Sequence, residues 1–128
     1  MKLPNIGFSG TVGITGTREG CTEGQMDVLV GFLLLFRTLR HGSCVGVDEE
    51  AHSVFEEVIN DGRDHFIVIH PPKNKSFLFR PKTRGISARI SSAVPKEYHA
   101  RNRDIVDLSD VVVACPKQKL PKKKWKTA

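Results

Sequence analysis

Short apolar runs alternate along this chain with longer segments whose apolar residues recur at helical spacing. Four runs predict buried strands, at residues 11–15, 42–48, 66–70 and 111–115. The segments between them predict three helices, over about residues 23–40, 49–60 and 96–108. Because strands that alternate with helices form βαβ units, we expect an α/β fold with a mostly parallel sheet of about four to five strands.

The loop after the first predicted strand, residues 16–20, has the composition of an anion-binding turn. Its glycines let the backbone approach a phosphate, Arg18 can hold phosphate oxygens, and a helix follows with Thr22 and Gln25 at capping-box spacing. The same residues also fit a plain turn in which Arg18 pairs with a nearby glutamate. Composition alone leaves both interpretations open, since neither GxGxxG nor GxxxxGK[ST] is present.

Two further segments, residues 42–48 and 70–72, are expected at the same rim, because ligands of parallel sheets bind outside the carboxyl ends of the strands. In residues 42–48, Ser43 and Asp48 could hydrogen-bond a ribose or a base, although Asp48 alone also fits a helix N-cap. Another candidate segment is Arg101-Asn102-Arg103-Asp104, on the helix before the last strand. Arg101 or Asn102 is expected to face the rim, and Arg103 and Asp104 to make surface contacts. His52, on an apolar helix face, is expected to be a packed core residue.

The net charge of +6 is concentrated in particular segments. Residues 117–128 hold six lysines and no acid, and we expect a mobile tail after a domain that spans residues 1–116. Residues 73–103 hold nine basic side chains against one acid, and residues 73–95 predict a long basic loop. An otherwise neutral body favours a local anion site over a general nucleic-acid coat.

The remaining composition excludes several classes of protein. Three cysteines without CxxC spacing predict neither a disulfide framework nor a zinc site, and Cys44 and Cys115 are expected to be small core residues. No apolar run reaches 18 residues, so no membrane span is predicted. The first residues lack the pattern of a secretory signal, which predicts a cytoplasmic protein. No cofactor is predicted.

The segments together resemble the SLOG superfamily, which contains the Smf/DprA proteins and the Lonely Guy phosphoribohydrolases. The resemblance is carried by residues 13–18, by His41-Gly42 with Gly46-Val47-Asp48 and Ala51-His52, by His70-Pro71, and by Arg101-Asn102-Arg103 with residues 109–114. It implies a Rossmann-like three-layer sandwich whose relatives bind nucleotides, nucleotide-derived signals or single-stranded DNA. By position it implies these ligand-binding residues: Thr15, Gly16, Thr17, Arg18, Gly42, Ser43, Asp48, Arg101 and Asn102.

Two departures from that superfamily shape the expected function. No PGGxGTxxE motif is present, which argues against phosphoribohydrolase activity. The Gly-Gly-Thr or Gly-Thr-Trp phosphate loop that usually follows the last strand is also missing, unless Trp125 is its remnant. An open sheet edge and an incomplete pocket would follow, and a second subunit of a homo-oligomer could cover both.

Three hypotheses for function follow from these observations. The first is non-catalytic binding of a nucleotide or nucleotide-derived phosphate ligand, by a sensor or a sequestering protein. The second is hydrolysis of the N-glycosidic bond of a nucleoside monophosphate, with Glu19 or Asp48 as the acid-base residue. The third is binding of single-stranded nucleic acid through residues 73–103 and the lysine tail. The first is preferred, and the protein is not expected to be an enzyme.

Overall fold

The computed structural model describes residues 10–58, 65–74, 76, 78 and 88–117. It contains five strands, β1 to β5, and three helices, α1 to α3. In chain order the elements are β1 (Thr11–Gly16), α1 (Glu23–Leu33), β2 (Thr38–His41), α2 (Val47–Val58), β3 (His65–Ile69), β4 (Ala88–Ser92), α3 (Tyr98–Leu108) and β5 (Val111–Cys115). The strands form one parallel sheet in the order β4-β3-β2-β1-β5, which confirms the α/β, Rossmann-like three-layer fold.

The direction of winding reverses at β1. From β1 to β4 each new strand is added on the same side of the sheet, and α3 then carries the chain back to β5 on the far side of β1. α1 and α2 pack against each other, and α2 also contacts β1 and β2, whereas α3 contacts β1. Because right-handed crossovers in opposite directions cover opposite faces, the reversal creates a crevice at the carboxyl ends of the central strands.

The two faces of β1 differ in how closely a helix approaches. Val12 and Ile14 are fully buried in the apolar core, together with residues of α1, α2, β2 and β3. Gly13 points the other way, where an added Cβ would lie 2.5 Å from Ser109 Oγ and 2.9 Å from Ile105 Cγ2. Glycine at this position therefore lets α3 and its C-terminal turn lie directly on the strand.

The second strand was predicted too late in the chain. α1 ends at Leu33, and β2 begins at Thr38, where the predicted first helix still continued. Burial in β2 alternates, with Leu39 and His41 inward, which is the period of a strand and not of a helix. Of the segment predicted as a strand, residues 42–46 form a loop, in which Ser43 has φ 57° and Gly46 has φ 94°, and residues 47–48 begin α2.

β4 was missed, because its residues lie in the segment predicted as a basic loop. Ala88–Ser92 pairs along β3 in parallel register, from His65 opposite Ala88 to Ile69 opposite Ser92. Its sequence, ARISS, has one large apolar residue and gives no strand signal by hydropathy. The rest of the basic loop lies largely outside the described residues, as does the lysine tail after Lys117.

The start of α2 changes the role predicted for Asp48. The helix begins at Val47, so Asp48 lies in its first turn and not at the N-cap. The capping box of α1 is present as predicted, with Gln25 N donating to Thr22 Oγ1 at 3.1 Å and Thr22 N donating to Gln25 Oε1 at 2.9 Å. Among the described residues, no helix is long and apolar enough to cross a membrane.

Candidate functional site

A cavity of about 630 Å³ opens at the carboxyl ends of β1, β2 and β3, beside α3. This volume is within the range of sites that take small ligands. Eight of the nine residues predicted to bind a ligand line it: Thr15, Gly16, Thr17, Arg18, Gly42, Asp48, Arg101 and Asn102. The ninth, Ser43, does not line the cavity and is buried behind it. The structure thus brings together segments that are far apart in the sequence.

Backbone hydrogen bonds to β5 and to α2 hold the loop after β1 in place. Thr17 N donates to Cys115 O at 3.1 Å, and Val47 N donates to Thr17 O at 3.1 Å. A Cβ on Gly16 would lie 2.6 Å from Val47 Cβ, so glycine is needed where this loop meets α2. Within this loop, Arg18 is the last residue that lines the cavity. The helix α1 begins beyond the loop, and its N-terminus is capped by Thr22 and Gln25. The predicted contribution of α1 amides is therefore not part of this cavity.

Asp48, Gly42 and Arg101 form a tightly packed cluster on the cavity wall. Asp48 Oδ2 accepts hydrogen bonds from Gly42 N at 3.0 Å and from Cys44 N at 3.3 Å. Arg101 Nη1 donates to Gly42 O at 2.6 Å. Both backbone polar groups of Gly42 are therefore held by side chains from α2 and α3. Their approach leaves no room for a side chain at residue 42.

The two charged side chains of this cluster are both buried. Burial raises the pKa of Asp48 to about 6, against the opposing effects of the Cys44 amide, the Arg101 charge and the Gly42 amide. Arg101 is only 4% exposed, and its Nε has no hydrogen-bond partner among the described residues. A buried guanidinium nitrogen without a partner is costly, and this one is enclosed by protein atoms.

Behind the cavity, Ser43 begins a chain of buried polar groups that continues through two histidines. Ser43 N donates to His41 Nδ1 at 2.9 Å, so the neutral His41 ring carries its proton on Nε2. His41 Nε2 lies 2.8 Å from His52 Nδ1, and His52 Nε2 lies 2.7 Å from Glu56 Oε1. Burial lowers the pKa of His52 to about 4 and that of His41 well below its ordinary value. Both rings are therefore neutral near pH 7.

Several residues that line the cavity were missed by sequence analysis. On α3, Tyr98, Arg101, Asn102 and Ile105 all face the cavity, at positions i, i+3, i+4 and i+7. That spacing could have identified Tyr98, once Arg101 and Asn102 were taken together as cavity residues. Cys44 also lines the cavity and is half-buried, so its prediction as a core residue was wrong, whereas Cys115 is buried as predicted.

The described part of the chain contains no group of three His, Cys, Asp or Glu side chains placed to hold a metal ion. No protein-family model and no curated protein sequence matches this chain. The fold and cavity define a class, a Rossmann-like α/β protein with a cavity of mixed polar and apolar lining at the reversal of its sheet. Membership of the SLOG superfamily stays a proposal.

Proposed function

We propose that this protein binds a nucleotide or nucleotide-derived phosphate ligand in the cavity, as a sensor or a sequestering protein of the SLOG type. The observation that supports this most strongly is the buried Arg101, which lines the cavity together with Arg18. Two guanidinium groups can hold a phosphate by charge-assisted hydrogen bonds. Threonine hydroxyls at positions 15 and 17 can add neutral donors.

The same cavity has polar groups suited to the uncharged parts of a nucleotide. Asp48 can accept hydrogen bonds from ribose hydroxyls at its second oxygen, and Asn102 can both donate and accept. The apolar wall includes Ile14, Ile105 and Pro72. An apolar lining with a few convergent polar groups is typical of small-molecule sites.

A thermal-shift screen of nucleoside phosphates tests this function. A ligand that binds the folded state stabilises it by about 2.7 kcal/mol at roughly 100 times its Kd. We expect Arg18→Ala to reduce the shift, because it removes one of the two guanidinium groups in the cavity. Arg103→Ala is the matched control, since Arg103 is exposed and does not line the cavity. No stabilisation by any nucleotide, or equal shifts in both variants, would count against the proposal.

Hydrolysis of an N-glycosidic bond is a second candidate function. Of the two predicted acid-base residues, only Asp48 supports it. A buried carboxyl group whose pKa is raised to about 6 lies at the cavity wall, as a general acid or base requires. Glu19, the other predicted acid-base residue, is exposed, does not line the cavity and lies 2.9 Å from Lys117 Nζ. We expect any release of free base from a nucleoside monophosphate to disappear in Asp48→Asn and to persist in Glu19→Gln. The opposite pattern would assign the reaction to Glu19.

Two other predictions gain no support from the described residues. Nucleic-acid binding was predicted through residues 73–103 and the lysine tail, and most of those cations lie outside the described part of the chain. A homo-oligomer was predicted to cover an open edge of the sheet, and β5 does form one edge of the described sheet. Both stay predictions.

A further inference from the structure

We propose that α3 carries a base-recognition face, in which Tyr98 stacks on a purine base and Asn102 hydrogen-bonds its edge, with adenine preferred over guanine. This inference rests on the proposed function, because it concerns how the same cavity would distinguish one nucleotide from another. It adds Tyr98 to the site and gives Asn102 a specific role there.

Tyr98 supplies an aromatic surface at the mouth of the cavity. It lines the cavity and is 60% exposed, and one edge contact joins it to the neighbouring His99 ring, with centroids 5.3 Å apart. Arg101 Cζ lies 5.2 Å from the centre of the Tyr98 ring, so the buried guanidinium supports the ring by a cation–π contact. A planar base on the exposed part of the ring would extend this stack, and base–aromatic stacking contributes about 1–3 kcal/mol.

Asn102 supplies a carboxamide one helical turn further along α3. It is half-buried, lines the cavity and makes no side-chain hydrogen bond to any other described residue. Tyr98 and Asn102 are four residues apart, so their side chains lie next to each other on the helix surface. A base stacked on Tyr98 would therefore present its edge to Asn102.

The carboxamide at this position favours adenine. Adenine presents an amino donor beside the N7 acceptor, which matches the acceptor and donor of asparagine, whereas the corresponding edge of guanine presents two acceptors. A carboxylate would suit the donors of guanine, and Glu97 is the nearest candidate on this helix. Its side chain is 79% exposed and lies 4.0 Å from Lys73 Nζ, so water and that cation compete for it. Asn102 is the better-shielded group.

Calorimetric titration of the full chain with AMP, GMP and ribose 5-phosphate tests this inference. We expect AMP to bind about 10-fold more tightly than GMP, and roughly 10- to 100-fold more tightly than ribose 5-phosphate. Tyr98→Leu should weaken AMP binding by roughly 10- to 100-fold without changing the binding of ribose 5-phosphate. Tyr98→Phe keeps the aromatic ring and should bind AMP as tightly as the unchanged protein. Asn102→Leu should remove the preference for AMP over GMP. Arg103→Ala, an exposed change on the same helix outside the cavity lining, is the matched control.

The outcomes separate this inference from the function on which it rests. If ribose 5-phosphate binds the unchanged protein as tightly as AMP, a phosphate site is present and the base-recognition face is not. The same holds if AMP binds but Tyr98→Leu and Asn102→Leu leave its Kd unchanged. If none of the three compounds binds but another nucleoside phosphate stabilises the protein in the thermal-shift screen, the base-recognition face is overturned and the proposed function stands. If no nucleoside phosphate stabilises it, both are overturned.

Discussion

Gly42→Ala is expected to abolish ligand binding and to lower the free energy of unfolding by about 2 kcal/mol. A Cβ at residue 42 would lie 1.7 Å from Arg101 Nη1 and 3.0 Å from Asp48 Oδ2. Of these two neighbours, the guanidinium is the one that can move. Its displacement breaks the 2.6 Å hydrogen bond to Gly42 O and leaves that buried carbonyl with only the weak thiol donor of Cys44, at 3.5 Å. Urea unfolding and nucleotide titration measure the two effects.

Gly31→Ala is the matched control for this change. Gly31 lies inside α1, and an added Cβ would meet no atom within 4 Å. Alanine at a helix position stabilises by about 0.5–1 kcal/mol relative to glycine, so this variant should unfold at a higher urea concentration and bind normally. If Gly42→Ala behaves like Gly31→Ala, then Arg101 is not held against the β2–α2 loop as described.

Elements with strong apolar patterns were predicted well from the sequence. β1, β3 and β5 are runs of valine, isoleucine and their neighbours, and their predicted bounds differ from the observed bounds by about a residue. The rule that parallel sheets bind ligands at the carboxyl ends of their strands then placed residues 16–20, 42–48 and 70–72 along one rim. The rule needs only strand order and direction, so the cavity could be anticipated without any side-chain contact.

Elements held by partners distant in sequence could not be predicted in the same way. β2 is short and polar on one face, and its pairing with β1 and β3 overrides the helical spacing around it. β4 is an edge strand defined by its hydrogen bonds to β3 alone. Tyr98 was not among the predicted ligand-binding residues, since the sequence does not show that Arg101 lies against its ring.

The buried chain from Ser43 to Glu56 gives the loop behind the cavity its fixed shape. Ser43 adopts φ 57°, a conformation that strains a non-glycine residue, and its amide is held by His41. His41 is in turn held by His52, and the two rings meet edge to face with centroids 5.0 Å apart. Each ring must be neutral to accept its hydrogen bond, from Ser43 N to His41 Nδ1 and from His41 Nε2 to His52 Nδ1. Protonation of either ring therefore destabilises the folded loop.

The folded protein should therefore lose stability in acid through His52. Its pKa is about 4 when folded, against an ordinary 6.5, so the unfolded chain binds more protons between these values. This contribution is full above about pH 6.5 and is lost as the pH falls towards 4. Asp48, whose pKa rises from 3.8 to about 6, acts in the opposite direction over an overlapping range.

A comparison with His52→Gln separates the two effects, because glutamine keeps an acceptor for His41 and a donor for Glu56 but does not titrate. We expect the free-energy cost of His52→Gln to shrink by on the order of 2–3 kcal/mol between about pH 7 and about pH 4, as urea unfolding would measure. Asp48→Asn should instead make the loss of stability in acid steeper, because it removes the compensating carboxyl group. If the cost of His52→Gln is the same at both pH values, the His41–His52 pair is not kept neutral by burial. The fixed conformation of Ser43 then needs another cause.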